Sequence, residues 1–113
     1  MDPTGTKTEI KPAAVKKLMD SGEKVTILDV REPAELAVAR LKDTIDIPMS
    51  ELGQRWAELD KYKDVQLVVM CKVGGRSARC ADFLRSQGFK HVLNMDGGIL
   101  AWTDEVDQSV PKY

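Results

Sequence analysis

The chain has 113 residues, of which 42% are hydrophobic and 31% charged, and its formal net charge is −1 at pH 7. This length suits one domain, and the balanced charge argues against nucleic acid or an anionic membrane as a partner. The longest apolar run is too short to span a bilayer, and two cysteines are poor material for a disulfide framework. We therefore expect a reduced, cytoplasmic protein that is monomeric as an isolated domain.

The first part of the chain predicts a leader, a short strand and a helix. Residues 1–7 are polar and include proline and glycine, so we predict a disordered leader or linker there and a single domain over 8–113. Residues 8–10 are a candidate strand. A helix over 12–20 follows, because proline suits the first position of a helix.

Two further strand–helix units follow in the sequence. The apolar stretch 25–30 predicts a strand, and Pro33 opens a short helix over 34–39. A brief strand over 45–47 precedes a helix over 50–59, for which Ser50 is a favourable N-cap. Each unit therefore places a helix directly after a strand.

The remaining pattern completes an alternating fold. We predict a loose tail over 109–113. Strands alternating with helices indicate an α/β protein with a parallel sheet of about five strands and helices on both faces. The remaining elements are a strand over 65–70, a helix over 77–87, a strand over 91–94, a Gly-Gly turn and a helix over 99–106.

A glycine-rich loop separates the strand over 65–70 from the next helix. Cys71 begins this loop, and Gly74 and Gly75 allow backbone angles that most residues avoid. Backbone N–H groups at the start of a helix have no partner within the helix, and the helix dipole favours negative charge there. Both effects favour a thiolate, so Cys71 is the candidate nucleophile. The nearby cations are Lys72, Arg76 and Arg79.

A second polar cluster follows the strand over 25–30. Ligands of open parallel sheets bind outside the carboxyl ends of the strands, where this cluster and the Cys71 loop both lie. Asp29 and Arg31 are the notable members of the cluster. We interpret them as an ion pair that supports the rim of the site, in preference to a direct catalytic role.

Four sequence pieces together resemble a rhodanese-type sulfurtransferase domain over nearly the whole chain. They are the segments 28–33 (LDVREP), 71–77 (CKVGGRS), the hydrophobic helix after it and 97–102 (GGILAW). The C-terminal part through 110–113 is similar to the rhodanese domains appended to E1-like adenylyltransferases. Those enzymes activate ubiquitin-like sulfur carriers for molybdopterin, thiamine or cysteine synthesis.

The resemblance implies a two-step sulfur transfer. Cys71 takes sulfur from thiosulfate or a protein persulfide, carries it as a persulfide and passes it to a thiophilic acceptor. It further implies a ubiquitin-like sulfur carrier and an upstream adenylyltransferase domain as partners, and it requires neither a metal nor an organic cofactor. The implied persulfide-binding loop is Lys72, Val73, Gly74, Gly75, Arg76 and Ser77, with backbone N–H groups from Lys72 to Arg76 as donors.

Two other functions remain open at this point. Tyrosine and Cdc25-type phosphatases, and arsenate reductases, use a similar loop, but the phosphatases place one more residue between cysteine and arginine than the four found between Cys71 and Arg76. The shorter loop favours a sulfur atom over a tetrahedral oxyanion. Rhodanese-like modules also serve as non-catalytic binding or regulatory domains, although many of those lack the cysteine.

Several other residues have simpler interpretations. Cys80 lies on the helix predicted after the Cys71 loop and is expected to pack in the core, as are Trp56 and Trp102. His91 is expected at the surface. The sequence does not decide whether the side chain of Arg76 contacts a partner or stays in solvent. Residues 40–44 depart from the His-Ile-Pro-Gly-Ala segment of many family members, which affects the local turn and leaves the nucleophile loop untouched.

Overall fold

The computed structural model describes residues 8–113, so the leader predicted over 1–7 lies outside the described residues. Five parallel strands form one sheet in the order β1-β5-β4-β2-β3. This confirms the predicted α/β fold with a parallel sheet of about five strands. The strands are β1 (Glu9–Ile10), β2 (Thr26–Asp29), β3 (Ile45–Asp46), β4 (Leu67–Met70) and β5 (Val92–Met95).

Helices cover both faces of this sheet. The helices are α1 (Pro12–Asp20), α2 (Pro33–Leu36), α3 (Met49–Arg55), a 3-10 helix (Trp56–Tyr62), α4 (Gly75–Ser86) and α5 (Gly98–Glu105). On β4, Val69 packs in a cluster with residues of α3 and α4, whereas its neighbour Val68 packs with residues of α1 and α5. Successive strand residues point to opposite faces, so the sheet is buried on both sides. Within residues 8–113, no helix is long and apolar enough to cross a membrane.

The helix predicted over 50–59 differs in its start and its length. It begins at Met49, whose N–H donates to the carbonyl of Val30 at 2.9 Å. Since this backbone bond already satisfies a free donor of the first turn, no side-chain cap is present, and the predicted cap at Ser50 is wrong. The Ser50 hydroxyl instead donates to Glu32 at 3.1 Å. Beyond α3 the chain continues as the 3-10 helix.

Two boundaries around β4 also differ from the sequence prediction. The strand begins at Leu67, because Val65 is 44% exposed and precedes the buried run. After the strand, α4 begins at Gly75, two residues earlier than predicted. Of the two loop glycines only Gly74 takes a positive φ, of 107°, so the expectation of an unusual conformation at Gly75 is wrong. One left-handed residue is enough to turn the strand into the helix.

The tail predicted to be loose over 109–113 is packed instead. The Thr103 hydroxyl donates to the Val110 carbonyl at 3.0 Å, and Val110 and Tyr113 both pack against the cluster beneath α1 and α5. The Tyr113 hydroxyl also hydrogen-bonds to Arg31, which follows β2, and to Glu35 of α2. Two anchoring residues in a short polar stretch produce no periodic pattern, so the sequence could not indicate this packing.

A buried ion pair fixes the carboxyl end of β2. Asp29 and Arg31 have fully buried side chains, and Arg31 Nη2 lies 2.8 Å from Asp29 Oδ2. The guanidinium also donates to the Ala39 carbonyl at 2.8 Å and to the Tyr113 hydroxyl at 3.0 Å. A buried charge is tolerated only when it is paired and hydrogen-bonded, and this one is.

The start of α5 lies directly against the Cys71 loop. The N–H groups of Ile99 and Leu100 donate to the carbonyls of Cys71 at 2.9 Å and Lys72 at 3.2 Å. Gly98 has a φ of +63°, and a Cβ added there would lie 2.3 Å from the Lys72 carbonyl oxygen. Glycine is therefore required, because a side chain would push the helix away from the loop.

The first prediction concerns the buried ion pair. Asp29→Asn leaves the Arg31 charge buried without a counter-charge, so we expect the free energy of unfolding to fall by about 3–5 kcal/mol in urea titrations. Asp46→Asn is the control, because the Asp46–Arg40 pair is partly exposed and its loss should cost below about 1 kcal/mol. Equal small losses in the two variants would contradict this account of the pair.

The second prediction concerns the contact between α5 and the loop. Gly98→Ala should lower the free energy of unfolding by at least about 1–3 kcal/mol, through its left-handed φ and its clash with Lys72. Gly53→Ala is the matched control, since it lies within α3 with nothing within 4 Å of the added Cβ. It should be stabilising by about 0.5–1 kcal/mol. A neutral Gly98→Ala would refute the close-approach argument.

Candidate active site

Cys71 lies at the carboxyl end of β4 with its sulfur facing the first turn of α4. Its side chain is 1% exposed. The Gly74 N–H lies 3.0 Å from Sγ, the Ser77 N–H 3.4 Å and the Ser77 hydroxyl oxygen 3.2 Å. These groups belong to the start of a helix, where free N–H donors and the helix dipole favour negative charge. The arrangement can stabilise a sulfur anion at this position.

The run of N–H groups from Lys72 to Arg76 is expected to hold the outer sulfur of a persulfide, and the donors to Sγ of the unloaded Cys71 are a partly different set. Of that run, only Gly74 hydrogen-bonds to Sγ in the described part of the chain. Ser77, outside the run, contributes both its N–H and its hydroxyl. The reason is that α4 begins at Gly75, which brings the N–H of its third residue toward the sulfur.

Lys72 and Val73 form the outer part of the loop, and within the described residues neither hydrogen-bonds to Sγ of Cys71. Val73 is 61% exposed at the tip of the loop. The Lys72 ammonium nitrogen lies 4.5 Å from the centroid of the Tyr113 ring, which is a cation–π distance. Gly74 occupies the N-cap position of α4 in the left-handed conformation. The loop therefore has an exposed tip and a cationic edge next to the buried nucleophile.

Arg76 is held by a carboxylate from α2. Its two terminal nitrogens lie 2.7 and 2.9 Å from the two carboxylate oxygens of Glu35, a bidentate pair. The hydrogen bonds from Arg76, assisted by the Tyr113 hydroxyl at 2.6 Å, lower the pKa of Glu35 from 4.5 to about 2. The side chain of Arg76, whose direction the sequence left open, is therefore directed at Glu35.

Tyr113 connects this pair to the buried ion pair of β2. Its hydroxyl donates to Glu35 and accepts from Arg31 at 3.0 Å. Asp29 and Arg31 are thus joined to the site through Tyr113, and within the described residues neither hydrogen-bonds to the loop that carries Cys71. The sequence analysis missed Glu35 and Tyr113 as site residues, because only tertiary folding brings them to the loop.

Asn94 is a third residue that the sequence analysis missed. It lies on β5, is 4% exposed, and its Oδ1 is hydrogen-bonded to the Ser77 hydroxyl. Its Nδ2 donates to the Gly74 carbonyl at 3.1 Å and to the Glu9 carboxylate at 3.1 Å. Asn94 could have been suspected from the sequence, because it is a polar residue near the carboxyl end of an otherwise apolar strand.

The other cysteine, the two tryptophans and the histidine lie in core or surface positions. Cys80 is buried on α4, and burial raises the pKa of its thiol to about 11, which keeps it protonated. Trp102 is buried and Trp56 packs edge-on to Phe89, with ring centroids 6.4 Å apart. His91 is exposed at the surface. Their positions match what the sequence predicted for them.

The segment 40–44 forms its turn without glycine. Asp43 takes the left-handed conformation with a φ of 59°, which aspartate tolerates better than most residues. The segment borders a cavity of about 630 Å³ whose lining includes Leu41 and Trp102 and does not include Cys71. Its departure from the expected pattern therefore changes a surface other than the nucleophile loop.

Several known proteins whose names include sulfurtransferase are similar in sequence to this chain. A sulfurtransferase from Allochromatium vinosum is 36% identical over 94 residues, which are 83% of this chain and 86% of that protein. Adenylyltransferase and sulfurtransferase MOCS3-2 from Zea mays is 35% identical over 103 residues, which are 87% of this chain and 21% of that protein. Rhodanese-like/PpiC domain-containing protein 12 from Arabidopsis thaliana is 43% identical over 96 residues, which are 80% of this chain and 31% of that protein. The chain therefore spans only about a fifth to a third of the length of these two longer relatives.

The structural comparison agrees with the sequence comparison. The crystal structure of a rhodanese-related protein from Thermoplasma volcanium has a TM-score of 0.77 and 34% sequence identity, and the match covers 88% of this chain and 93% of that one. The Rhodanese-like domain family matches residues 11–105, which include the Cys71 loop and most of the described elements. The chain belongs to the family of rhodanese-like domains.

Proposed function

We propose that this domain is a sulfurtransferase that carries sulfane sulfur as a persulfide on Cys71. The observation that carries the proposal is the convergence of the Gly74 N–H, the Ser77 N–H and the Ser77 hydroxyl on the buried sulfur. Such donors favour an anionic sulfur nucleophile. Relatives named as sulfurtransferases support sulfur transfer as the general activity.

The first half-reaction loads the sulfur. The Cys71 thiolate attacks the outer sulfur of thiosulfate, a new S–S bond forms, and the bond to the sulfite sulfur breaks. Sulfite leaves with the electron pair of that bond, and the negative charge of the thiolate moves to the outer persulfide sulfur. A protein persulfide would donate in the same way and leave as a thiolate. The proposed persulfide-binding loop is Lys72, Val73, Gly74, Gly75, Arg76 and Ser77.

The second half-reaction unloads the sulfur to an acceptor. A thiophilic nucleophile attacks the outer sulfur, the S–S bond breaks, and the electron pair returns to Cys71 as thiolate. Relatives that combine adenylyltransferase and sulfurtransferase in their names, and one named a putative sulfur carrier protein, support an activated ubiquitin-like carrier as the acceptor. The adenylated C-terminus of such a carrier is an electrophile, so in this case the outer persulfide sulfur attacks its acyl carbon and AMP leaves with the electron pair of the C–O bond. An external thiol then attacks Sγ of Cys71, the S–S bond breaks, the carrier leaves as a thiocarboxylate, and a second thiol restores the Cys71 thiolate as the two thiols form a disulfide. This acceptor would place the domain beside an adenylyltransferase in molybdopterin or thiamine synthesis.

The setting of the reaction is part of the same proposal. Cys71 and Cys80 are both free, which suits a reducing compartment such as the cytoplasm. We propose that the domain works there as a monomer. A structural non-catalytic role is disfavoured, because Cys71 and its donors are all present.

The position of Arg76 argues against the phosphatase alternative. A Cys-based phosphatase needs its loop arginine free to bind two phosphate oxygens. Here both terminal nitrogens of Arg76 already bind Glu35, whose pKa of about 2 keeps it ionised through the neutral range. The guanidinium therefore supports the loop and does not face an empty oxyanion site.

The third prediction tests sulfur loading. After incubation with thiosulfate, the intact mass of the wild type should increase by one sulfur atom, and the mass of Cys71→Ser should not change. Cys80→Ser is the control and should load like the wild type, because Cys80 is buried and protonated. An unchanged wild-type mass would overturn the proposal, and a sulfur retained on Cys71→Ser would exclude Cys71 as the carrier. Hydrolysis of an aryl phosphate that depends on Cys71 would instead favour the phosphatase.

The fourth prediction is a pH dependence of stability. The folded state lowers the pKa of Glu35 from 4.5 to about 2. The ionised Glu35 therefore stabilises the folded state fully above about pH 4.5, and this stabilisation is lost as the pH falls through about 2. In urea titrations across this range, Glu35→Gln should lose the part of the acid sensitivity that Glu35 causes. Glu58→Gln, which removes an exposed partner of Arg55, should change the slope less. An unchanged acid sensitivity in Glu35→Gln would contradict the pairing.

A further inference from the structure

The hydroxyl of Ser77 faces three acceptors with one hydrogen. Its oxygen lies 3.2 Å from Sγ of Cys71, 3.2 Å from the Gly74 carbonyl oxygen, and in hydrogen-bond contact with Oδ1 of Asn94. A serine hydroxyl donates one hydrogen bond at a time. The Gly74 carbonyl also receives the Ala78 N–H at 3.1 Å, so it does not depend on Ser77. The effective competition is between the sulfur and Asn94.

The orientation of the Asn94 amide makes this competition unavoidable. Its Nδ2 lies 3.1 Å from the Gly74 carbonyl and 3.1 Å from each carboxylate oxygen of Glu9. A reversed amide would place Oδ1 against these three acceptors, so Oδ1 must face Ser77. Oδ1 can only accept, and within residues 8–113 the Ser77 hydroxyl is its hydrogen-bond partner. Asn94 is buried, so an unmade bond there is costly.

The state of the sulfur decides which acceptor receives the hydrogen. When Cys71 is a thiol, its S–H can donate to the Ser77 oxygen while Ser77 donates to Asn94, and every group is satisfied. When Cys71 is a thiolate, the sulfur needs the hydrogen and Asn94 loses it. When Cys71 carries a persulfide, the charge lies on the outer sulfur, and the hydroxyl can return to Asn94.

We propose that Asn94 is a positioning residue that competes with the Cys71 thiolate for the Ser77 hydrogen. It therefore favours the thiol and the persulfide over the free thiolate. The persulfide part of this inference rests on the proposed function, whereas the competition in the unloaded protein does not. The effect is to limit the reaction of the resting cysteine with stray electrophiles and to help retain loaded sulfur.

The fifth prediction measures the competition by alkylation. In a Cys80→Ala background, Cys71 is the one remaining thiol, and its rate of reaction with iodoacetamide is followed across pH. Asn94→Leu should raise this rate about three- to tenfold below the plateau and move the profile to lower pH, as expected for one released hydrogen bond. Ser77→Ala should lower the rate by a similar factor, because the thiolate loses a donor.

The double variant separates this role from a structural one. In the Ser77→Ala background, Asn94→Leu should have no further effect, because there is no hydrogen left to compete for. A merely structural role for Asn94 would loosen the loop and change the alkylation rate of the Asn94 variant to the same extent with and without the Ser77 hydroxyl. Thermal melting shows whether each variant folds. If Asn94→Leu does not fold, Asn94→Ala provides the same comparison.

Faster alkylation in the Asn94 variants, slower alkylation in Ser77→Ala and no additional effect in the double variant support the inference. Asn94 variants that are slower or unchanged, or that are equally fast without the Ser77 hydroxyl, overturn it. Alkylation does not involve sulfur transfer. The expected alkylation pattern in a protein that takes no sulfur from thiosulfate would uphold the competition and overturn the proposed function.

Discussion

A sulfur anion buried from water is stable only where hydrogen-bond donors replace the lost solvent, and this requirement shapes the region around Cys71. The left-handed conformation of Gly74 turns the chain so sharply after β4 that α4 begins almost directly above the sulfur. The N–H of Gly74 and the N–H and hydroxyl of Ser77 then point at Sγ of Cys71. The loop therefore depends on backbone geometry more than on charged side chains, which lie around it.

The surrounding fold keeps this geometry from relaxing. The start of α5 hydrogen-bonds to the loop carbonyls, at an approach that only glycine permits at position 98. On the other side, Arg76 is tied to Glu35, and Tyr113 links that carboxylate to Arg31 of the buried pair. Among the residues described, no buried side-chain nitrogen or oxygen lacks a hydrogen-bond partner. Two helices, the tail and the end of β2 thus hold the loop in one arrangement.

The features that the sequence could predict are those with a local cause. Apolar runs and glycine positions indicated the order of strands and helices and placed Cys71 at the end of β4. Helix starts were misjudged where a backbone bond replaces a cap, as at Met49. The contacts of Arg76 with Glu35, and of Tyr113 with Arg31, join residues 41 and 82 positions apart, so no local pattern announces them. The role of Asn94 likewise needs the neighbouring strand and helix in place.

The central claim is that Cys71 holds a transferable sulfur, and a single-turnover experiment tests it most directly. Protein loaded with thiosulfate and freed of excess reagent is mixed with cyanide, a small thiophilic acceptor. The account predicts one thiocyanate per loaded protein, with peptide mass mapping that shows the extra sulfur on Cys71 before mixing and a free thiol there afterwards. Absence of thiocyanate, or an extra sulfur mapped to Cys80, would contradict it.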